Sequence, residues 1–391
     1  MKRRILIIIS FSIVIFLFSG FSFTVKAEDN LEEELKKEIE DYTSSLDVSA
    51  LQEFCDSLTA EGDRIDLKQL IKDITSGNFV YTPQKLFESI GNTFLRGITN
   101  VIPSIISIVI IAVLFSLMFG MTGNFINKQT TEIVYFVCYS AVIIIVMTKV
   151  METTVDAKNA ISSLNSAINH VMPVMITLVS ALGGTVSASV FQPQLVFFST
   201  VIVSVINYVV LPIFLASVVF SLVGNLSTNA KLEKLTKACL FINKCVLTIT
   251  FSVFALYISV SGITASAIDG VSIKAAKFMV SSYIPILGGY ISQGFDLVSA
   301  SIILIKNSIG AVGMMLVVSV VLSPIIKLAV LTLGLKVVSG IIEPITDKRM
   351  TDFVYGVSES TGQLIAGVSG CGFAFFIMML ICIGSFNVGL L

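Results

Sequence analysis

Charge is distributed very unevenly along this chain, and no other feature constrains the fold as much. Between Gly97 and Leu391 only 24 of 295 residues are charged, whereas residues 28–73 carry 20 charges in 46 positions. The chain is 55% hydrophobic, above the usual range of soluble domains. Because lipid offers the backbone no hydrogen bonds, an apolar tract of this length crosses a membrane as helices. We therefore predict an all-α fold, with a small acidic helical head before a polytopic membrane body.

The first 27 residues have the three parts of a secretory signal peptide. Residues 2–4 are basic, residues 5–18 are apolar, and Val25-Lys26-Ala27 supplies an A-x-A-like cleavage site. An uncleaved first transmembrane helix is the alternative. In both cases the basic start stays in the cytoplasm, so the acidic region, residues 28–98, is expected to be extracytoplasmic.

The acidic head has the spacing of short amphipathic helices. Leu31, Leu35 and Ile39 recur every four residues among charged residues, and residues 67–74 repeat the pattern. The charged faces of these helices have two interpretations. They keep the head soluble, or they form a docking surface for a partner outside the membrane.

The membrane domain, residues 99–391, contains eight apolar stretches, and a stretch of about 20 residues is enough to cross a bilayer. They lie at about 101–121, 133–150, 171–190, 195–223, 245–264, 283–303, 309–341 and 363–385. Residues 152–170 are predicted to be a polar connection. The Gly183-Gly184 pair interrupts one stretch, and Pro212 is expected to bend the next.

Proline and glycine motifs recur at similar distances along this domain, which predicts an internal repeat. Pro173 and Pro285 are 112 residues apart, as are Pro212 and Pro324, while Gly288-Gly289 echoes Gly183-Gly184 out of step by seven. The predicted halves are about 171–264 and 283–385. Broken helices at matching positions are typical of transporter-like folds.

Two ways of predicting the orientation of the helices, counting the apolar stretches and locating the basic loops, disagree. An exported head would place the basic segment Lys231–Lys244 outside, whereas basic loops favour the cytoplasmic side. The conflict disappears if a Gly-Gly segment is re-entrant, or if a long Pro-containing segment folds into a hairpin. The sequence leaves both possibilities open.

The motifs of common catalytic sites are missing from the sequence. It contains no GxxxxGK[ST] loop, and His170 is its single histidine, which excludes HExxH proteases and multi-histidine metal sites. We expect no enzyme activity, no catalytic, cofactor-binding or metal residues, no cofactor and no nucleic-acid partner. The run Gly367-x-x-Gly370-x-Gly372 is expected to let helices pack closely.

Polar residues and helix breaks inside the body are the remaining functional candidates, because charges are costly in lipid and usually face protein or water. The positions predicted to line a polar path or break a helix are Gly183, Gly184, Gln192, Gln194, Pro212, Gly288, Gly289, Gln293, Asp296, Pro324 and Lys327. The alternative is structural: Asp296 pairs with a lysine to hold helices together, or it lies at the membrane interface.

Several of these features together resemble the stage III sporulation protein AE family of endospore-forming bacteria. They are the signal ending at Val25-Lys26-Ala27, the acidic head, Pro173, Gly183-Gly184, Lys231–Lys237, Pro285, Gly288-Gly289 and the Glu343-Pro344 turn. The resemblance implies a membrane subunit of the complex that joins mother cell and engulfed forespore. It also implies partners, namely other stage III sporulation membrane and ring proteins and their ATPase. The membrane would be the mother-cell membrane around the forespore, with the head in the intermembrane space. A stand-alone secondary transporter of a small solute is the alternative.

Overall fold

The structure is a computed structural model that describes residues 37–39, 41–58, 66–75, 83–121, 128–226, 232–283 and 288–384. Every regular element in these ranges is helical, so the predicted all-α class is confirmed. The signal segment and Pro285 lie outside the described residues. The separation into a head and a membrane domain, and the internal repeat, stay predictions.

Besides the helical residues 37–39 and 41–45, the described part of the chain forms two further short helices in the head and seven longer ones after it. They are α1 (Ser49–Leu58), α2 (Leu67–Thr75), α3 (Pro83–Met121), α4 (Lys128–Ala181), α5 (Thr185–Val205), α6 (Leu211–Gly224), α7 (Glu233–Tyr283), α8 (Gly288–Ile342) and α9 (Lys348–Gly384). A π-helical turn, Ile206–Val210, joins α5 to α6. In the described part of the chain, six helices are long and apolar enough to cross a membrane, with α5 and α6 together counting as one.

The polar connection predicted at 152–170 is wrong, because α4 runs through it as one helix of 54 residues. Fully buried side chains continue at helical spacing through this stretch, at Ala157, Ile161, Leu164 and Ile168. Only the opposite face is polar. From Gly288 onward, the stretches predicted at 283–303 and 309–341 likewise belong to one helix, α8, which has 55 residues.

Successive long helices run in opposite directions and meet at two ends. One end, which we call the basic end, is where α3, α6 and α8 end and α4, α7 and α9 begin. There the Tyr135 hydroxyl donates to the Asn225 carbonyl oxygen at 2.9 Å. The other end, the head end, is where α4 and α7 end and α5 and α8 begin. There the Phe54 ring of the head stacks on His170, with 5.0 Å between centroids.

Basic residues concentrate at the basic end, opposite the head. Lys128, Lys234, Lys237, Lys348 and Arg349 lie in the first five residues of α4, α7 and α9, which begin at this end, whereas the first five residues of α5 and α8, which begin at the head end, contain neither lysine nor arginine. The conflict over orientation came from counting 133–150 and 171–190 as two passes. Since α4 is one helix, an exported head and a cytoplasmic basic end agree without a re-entrant segment or a hairpin.

Exposed apolar side chains form a belt around the half of the bundle next to the basic end. On α4 they include Ile133, Phe136, Val137, Ile144, Met151 and Val155. Beyond this stretch the exposed positions of α4 become mostly polar, including Lys158, Asn159, Ser162, Asn169 and Thr177. Residues 133–155 span about 33 Å of helix, close to the thickness of about 30 Å of a hydrocarbon core. This belt therefore has the dimensions of a lipid-facing surface.

The long helices continue well past the belt toward the head. At 1.5 Å per residue α8 is about 82 Å long, more than twice the hydrocarbon thickness. We call residues 156–181 of α4, 288–327 of α8 and 371–384 of α9 the head-side half. Within it, nearly every side chain of α8 from Ser301 to Met314 is buried, so other helices surround it.

The two head helices pack on the head-side half. Leu51 of α1 and Leu67 and Ile71 of α2 are almost fully buried, and α1 contacts α4 while α2 contacts α8. Gln52 joins the two helices, since its Oε1 accepts a hydrogen bond from the Leu67 backbone N–H at 2.9 Å. Burial raises the pKa of the Cys55 thiol to about 11, so this cysteine stays protonated and packs as a small apolar residue.

Candidate functional site

The Gly183-Gly184 pair ends α4 and turns the chain back into α5. Gly183 has φ 84°, a left-handed conformation that glycine adopts without steric cost. The N–H of Gly183 donates to Ser180 O and that of Gly184 to Val179 O, both at 3.0 Å. These two bonds are a Schellman motif, which satisfies carbonyls left open at a helix end. The predicted interruption is a tight turn.

The interruption expected near Pro212 is a change in backbone hydrogen bonding. Pro212 has no N–H, and the π-helical turn Ile206–Val210 directly precedes α6. The N–H of Leu211 donates to Ile206 O, five residues back. A single π turn of this kind inside a helix is frequent at functional sites. By contrast, α8 runs without interruption through Pro324, which is buried.

Lys327 is held by a partner that the sequence did not suggest. Its Nζ lies 2.7 Å from Asp156 Oδ2, which ties α8 to α4, and the two side chains are 40% and 33% exposed. The sequence placed Asp156 in a connection, because its stretch is too polar to cross lipid. Its place one residue before buried Ala157 is the signal that it belongs to a packed helix.

A charge swap should show what this ion pair contributes. We expect Asp156→Lys to lower the free energy of unfolding by about 1 kcal/mol, since half-exposed pairs contribute little and like charges repel. The double variant Asp156→Lys with Lys327→Asp should recover the loss, as measured by thermal unfolding in lipid nanodiscs. Lys149 and Glu152, both on α4 and 2.9 Å apart, are the matched control pair. Failure of the double variant to recover would mean that the pair does not hold α4 to α8.

The other predicted polar positions fall on different helix pairs or outside the described side chains. Gln194 Oε1 on α5 accepts a hydrogen bond from the Tyr257 hydroxyl on α7, and the Tyr257 ring lies 4.1 Å from that of Phe198. Gln194 and Lys327 thus take separate partners. Nothing is described of the side chains at Gln192, Gly288, Gly289, Gln293 and Asp296. The polar path stays a prediction.

Further polar side chains in the bundle lie outside the predicted set of polar-path and helix-break positions. The Lys306 side chain is 0% exposed, and its Nζ donates to the Ile383 carbonyl oxygen at 2.9 Å. Asn243 on α7 is 1% exposed, and the Gln363 Nε2 on α9 donates to the Leu240 carbonyl oxygen at 2.9 Å. Lys306 has a signal in the sequence, since it is the one charged residue in the stretch 297–326.

An aromatic and ionic cluster closes the basic end. The Arg349 guanidinium lies 3.9 Å from the centre of the Tyr135 ring and 3.1 Å from Asp347 Oδ2. The Arg349 backbone N–H donates to Asp347 Oδ1 at 2.9 Å, so this carboxylate caps α9. Burial raises the pKa of Asp347, but the hydrogen bonds and charge of Arg349 outweigh it and hold the pKa below its ordinary value.

The contacts and the comparisons with known proteins agree on what kind of molecule this is. Among the described residues no group of three or more His, Cys, Asp or Glu can hold a metal ion. The fold defines a polytopic α-helical membrane protein in which polar side chains join neighbouring helices. The chain belongs to the stage III sporulation protein AE family, whose model matches residues 65–385. This confirms the resemblance seen in the sequence.

A curated relative supports the same assignment over nearly the whole chain. Stage III sporulation protein AE of Bacillus subtilis (strain 168) is 22% identical over 387 residues, covering 96% of this chain and 96% of the relative. No solved structure matches the chain. The family establishes a sporulation membrane protein.

Proposed function

We propose that the protein is a membrane subunit of the mother cell–forespore channel or secretion-like complex that endospore development needs after engulfment. It acts there as a scaffold or conduit. It lies in the mother-cell membrane around the forespore, and its head is in the intermembrane space. Its partners are the other stage III sporulation membrane and ring proteins and their ATPase. Family membership supports the link to sporulation.

The observation that carries this proposal is the length of the bundle beyond its apolar belt. The head-side half extends past residue 155 of α4, where the exposed surface turns polar, and the head packs on top of it. A simple membrane anchor would not need the head-side half. A head-side half that projects from one side of the membrane suits a subunit that contacts partners across an intermembrane space.

The charge distribution supports the proposed orientation. The helices that begin at the basic end carry five lysine and arginine residues in their first five positions, and basic residues next to membrane helices favour the cytoplasmic side. The head lies at the opposite end. It is therefore exported, in agreement with the basic start and apolar stretch of residues 1–27.

A stand-alone secondary transporter is the second candidate, and the break between α5 and α6 favours it. Transporters bind substrate near the middle of the membrane, where helices are discontinuous. The π turn Ile206–Val210 interrupts the regular α-helical hydrogen bonding between α5 and α6. A transporter would move a solute when reconstituted alone, whereas a complex subunit would need its ATPase and ring partners.

The decisive experiment is a clean deletion of the gene in its host, followed by a late forespore-specific transcription reporter during sporulation. We expect engulfment to finish, after which the reporter stays silent and the forespore shrinks. Restoring the gene should restore the signal. Normal spores without the gene would contradict the proposal and leave solute transport as the function to test.

Charge reversal on the head should separate a docking surface from a merely solvated one. Asp41 and Glu53 are exposed acids on the head. In a strain that carries only the variant protein, we expect Asp41→Lys with Glu53→Lys to lower the reporter about tenfold or more, because like charges facing each other at an interface are strongly unfavourable. The amount of protein in the membrane should not change. Glu343→Lys, at an exposed position of the basic end, is the matched control. An unchanged reporter would mean that the head charges serve solubility alone.

A further inference from the structure

Helix α9 contacts α4, α6, α7 and α8, so it gives a common scale of height along the bundle. On α4, the centroid of the Tyr139 ring lies 5.4 Å from that of Phe353, and Met172 Sδ lies 3.8 Å from Cys382 Sγ. Val155, where the exposed apolar surface of α4 ends, is midway between Tyr139 and Met172. The head-side edge of the belt on α4 is therefore level with the midpoint of the α9 segment between these two contacts.

Helix α7 can be placed on the same scale. Gly367 lies at that midpoint, and a Cβ at this position would be 3.6 Å from Leu247 Cδ2, so Leu247 is level with Val155. Lys237 precedes Leu247 by ten residues, and Ile144 precedes Val155 by eleven. Because α4 and α7 both run from the basic end toward the head, Lys237 and Ile144 also lie at one height.

At the height of Lys237 the flank formed by α4 and the flank formed by α5–α7 differ in character. Ile144 is 66% exposed and lies in the middle of the apolar belt. The Lys237 side chain is 71% exposed, and that of Glu233, with which it pairs, is 78% exposed. Charges are costly in hydrocarbon. A bilayer that crossed both flanks at one height would nevertheless place this ion pair near its centre.

Closer to the head the difference between the two flanks is reversed. Phe197 of α5 is 60% exposed and Leu256 of α7 is 69% exposed, and Leu256 lies about 14 Å beyond the edge of the α4 belt. Ser199 Oγ donates to Asn165 Oδ1 at 3.2 Å, which puts Phe197 at about the height of Asn169, an exposed polar residue of α4. A level bilayer would therefore leave large apolar side chains of the α5–α7 flank in water.

We propose that the bilayer meets the bundle obliquely, so that acyl chains on the α5–α7 flank cover a surface displaced toward the head by about 15–20 Å relative to α4. This one displacement moves Lys237 and Glu233 to the interface at the basic end and brings Phe197 and Leu256 into the hydrocarbon. The exposed Lys244 reaches back toward the same interface through its long side chain. Membrane helices are inclined to the bilayer normal by up to about 40°, which accommodates such a displacement.

An inclined bundle has two unlike sides at the head end. The head helices pack on α4 and α8, and the α4 flank of the head-side half faces water, whereas lipid covers its α5–α7 flank. A protein that binds this end would approach from the α4 side. This inference goes beyond the proposed function and would hold equally for a transporter.

Single tryptophans test the inclination, because the chain contains none of its own. The full-length protein is placed in nanodiscs of phosphatidylcholine, with or without bromine on the acyl chains. Brominated lipid should quench Ile144→Trp and Phe197→Trp about twofold or more, since their indole rings would lie among acyl chains. Lys237→Trp and Asn169→Trp, the matched positions at the same two heights, should be quenched by aqueous iodide instead. This crossed pattern supports the proposal.

Two other patterns would overturn it. A level bilayer would let brominated lipid quench Lys237→Trp as strongly as Ile144→Trp, and iodide would quench Phe197→Trp. Shielding of Phe197→Trp from both quenchers would mean that protein, such as a second copy of this chain, covers the α5–α7 flank. Leu256→Trp and the exposed position Ser162→Trp of α4 form a further pair at another height, which gives the answer if a variant of the first set does not fold.

Discussion

Gly370→Val is expected to separate α9 from α7 and to destabilise the protein strongly. A Cβ at Gly370 would overlap the aromatic ring of Phe251, and even the Cδ2 atom of that ring would be only 3.0 Å from it. A rigid ring cannot move aside as easily as the end of a flexible side chain. Overpacking of a filled interior costs about 1–3 kcal/mol, and valine adds two more methyl groups. We expect a large fall in the thermal unfolding temperature and in the yield of monodisperse protein after detergent extraction.

Two further variants make this prediction specific. Gly362→Ala, on the same helix, places its Cβ 3.8 Å from Thr332 Cγ2, an ordinary contact, and should leave stability unchanged or slightly raised. Adding Phe251→Ala to Gly370→Val should recover part of the lost stability, because it removes the ring that the valine would overlap. The stability effects of substitutions at residues in contact are not additive. Equal stability of Gly370→Val and the wild type would show that α7 and α9 do not pack closely at this point.

The close packing at Gly370 was predictable because small residues at helical spacing have a local meaning. The Gly367-x-x-Gly370-x-Gly372 run predicted a tight helix contact, and this prediction is confirmed, since a Cβ at Gly372 would also lie 2.8 Å from Val321 Cγ1. The turn at Gly183-Gly184 was predictable for the same reason. In each case one short motif determines the structure.

The number of passes was not predictable from hydropathy alone. The eight predicted apolar stretches correspond to six long helices among the described residues, because a helix that packs on its neighbours along one side needs only one apolar face. In α4 the buried face continues at Ala157, Ile161 and Leu164, while exposed polar residues hide it in a hydropathy profile. A hydropathy profile therefore does not show that α4 continues as a helix into the head-side half.

The side-chain contacts between different helices were also not predictable from the sequence. Asp156 and Lys327 are 171 residues apart, and only the register between α4 and α8 brings them together. The same holds for Gln363 and Leu240, which meet across the seam of α9 and α7. Residue type identified Lys327 as a candidate, but its partner depends on how two long helices are shifted along each other.

Lys306→Glu is the change in the bundle from which we expect the greatest loss of stability. The Lys306 ammonium is fully buried and donates to Ile383 O at 2.9 Å. Ile383 belongs to the last turn of α9, where unpaired carbonyls carry partial negative charge. A carboxylate at this place would be buried and would face that negative charge. A buried carboxylate without a partner costs several kcal/mol, and the partial negative charge at the end of α9 adds repulsion to that loss.

Protein that carries Lys306→Glu should be recovered from membranes in low yield and should be digested rapidly by trypsin. Lys158→Glu, the same reversal at an exposed position of α4, should behave as the wild type does. Lys306→Gln keeps an N–H donor without the charge and should lie between them, since a neutral hydrogen bond contributes about half as much as a charged one. If Lys306→Glu were as protease-resistant as Lys158→Glu, water would have to reach the ammonium, and α9 would not end in the closed environment that holds Ile383.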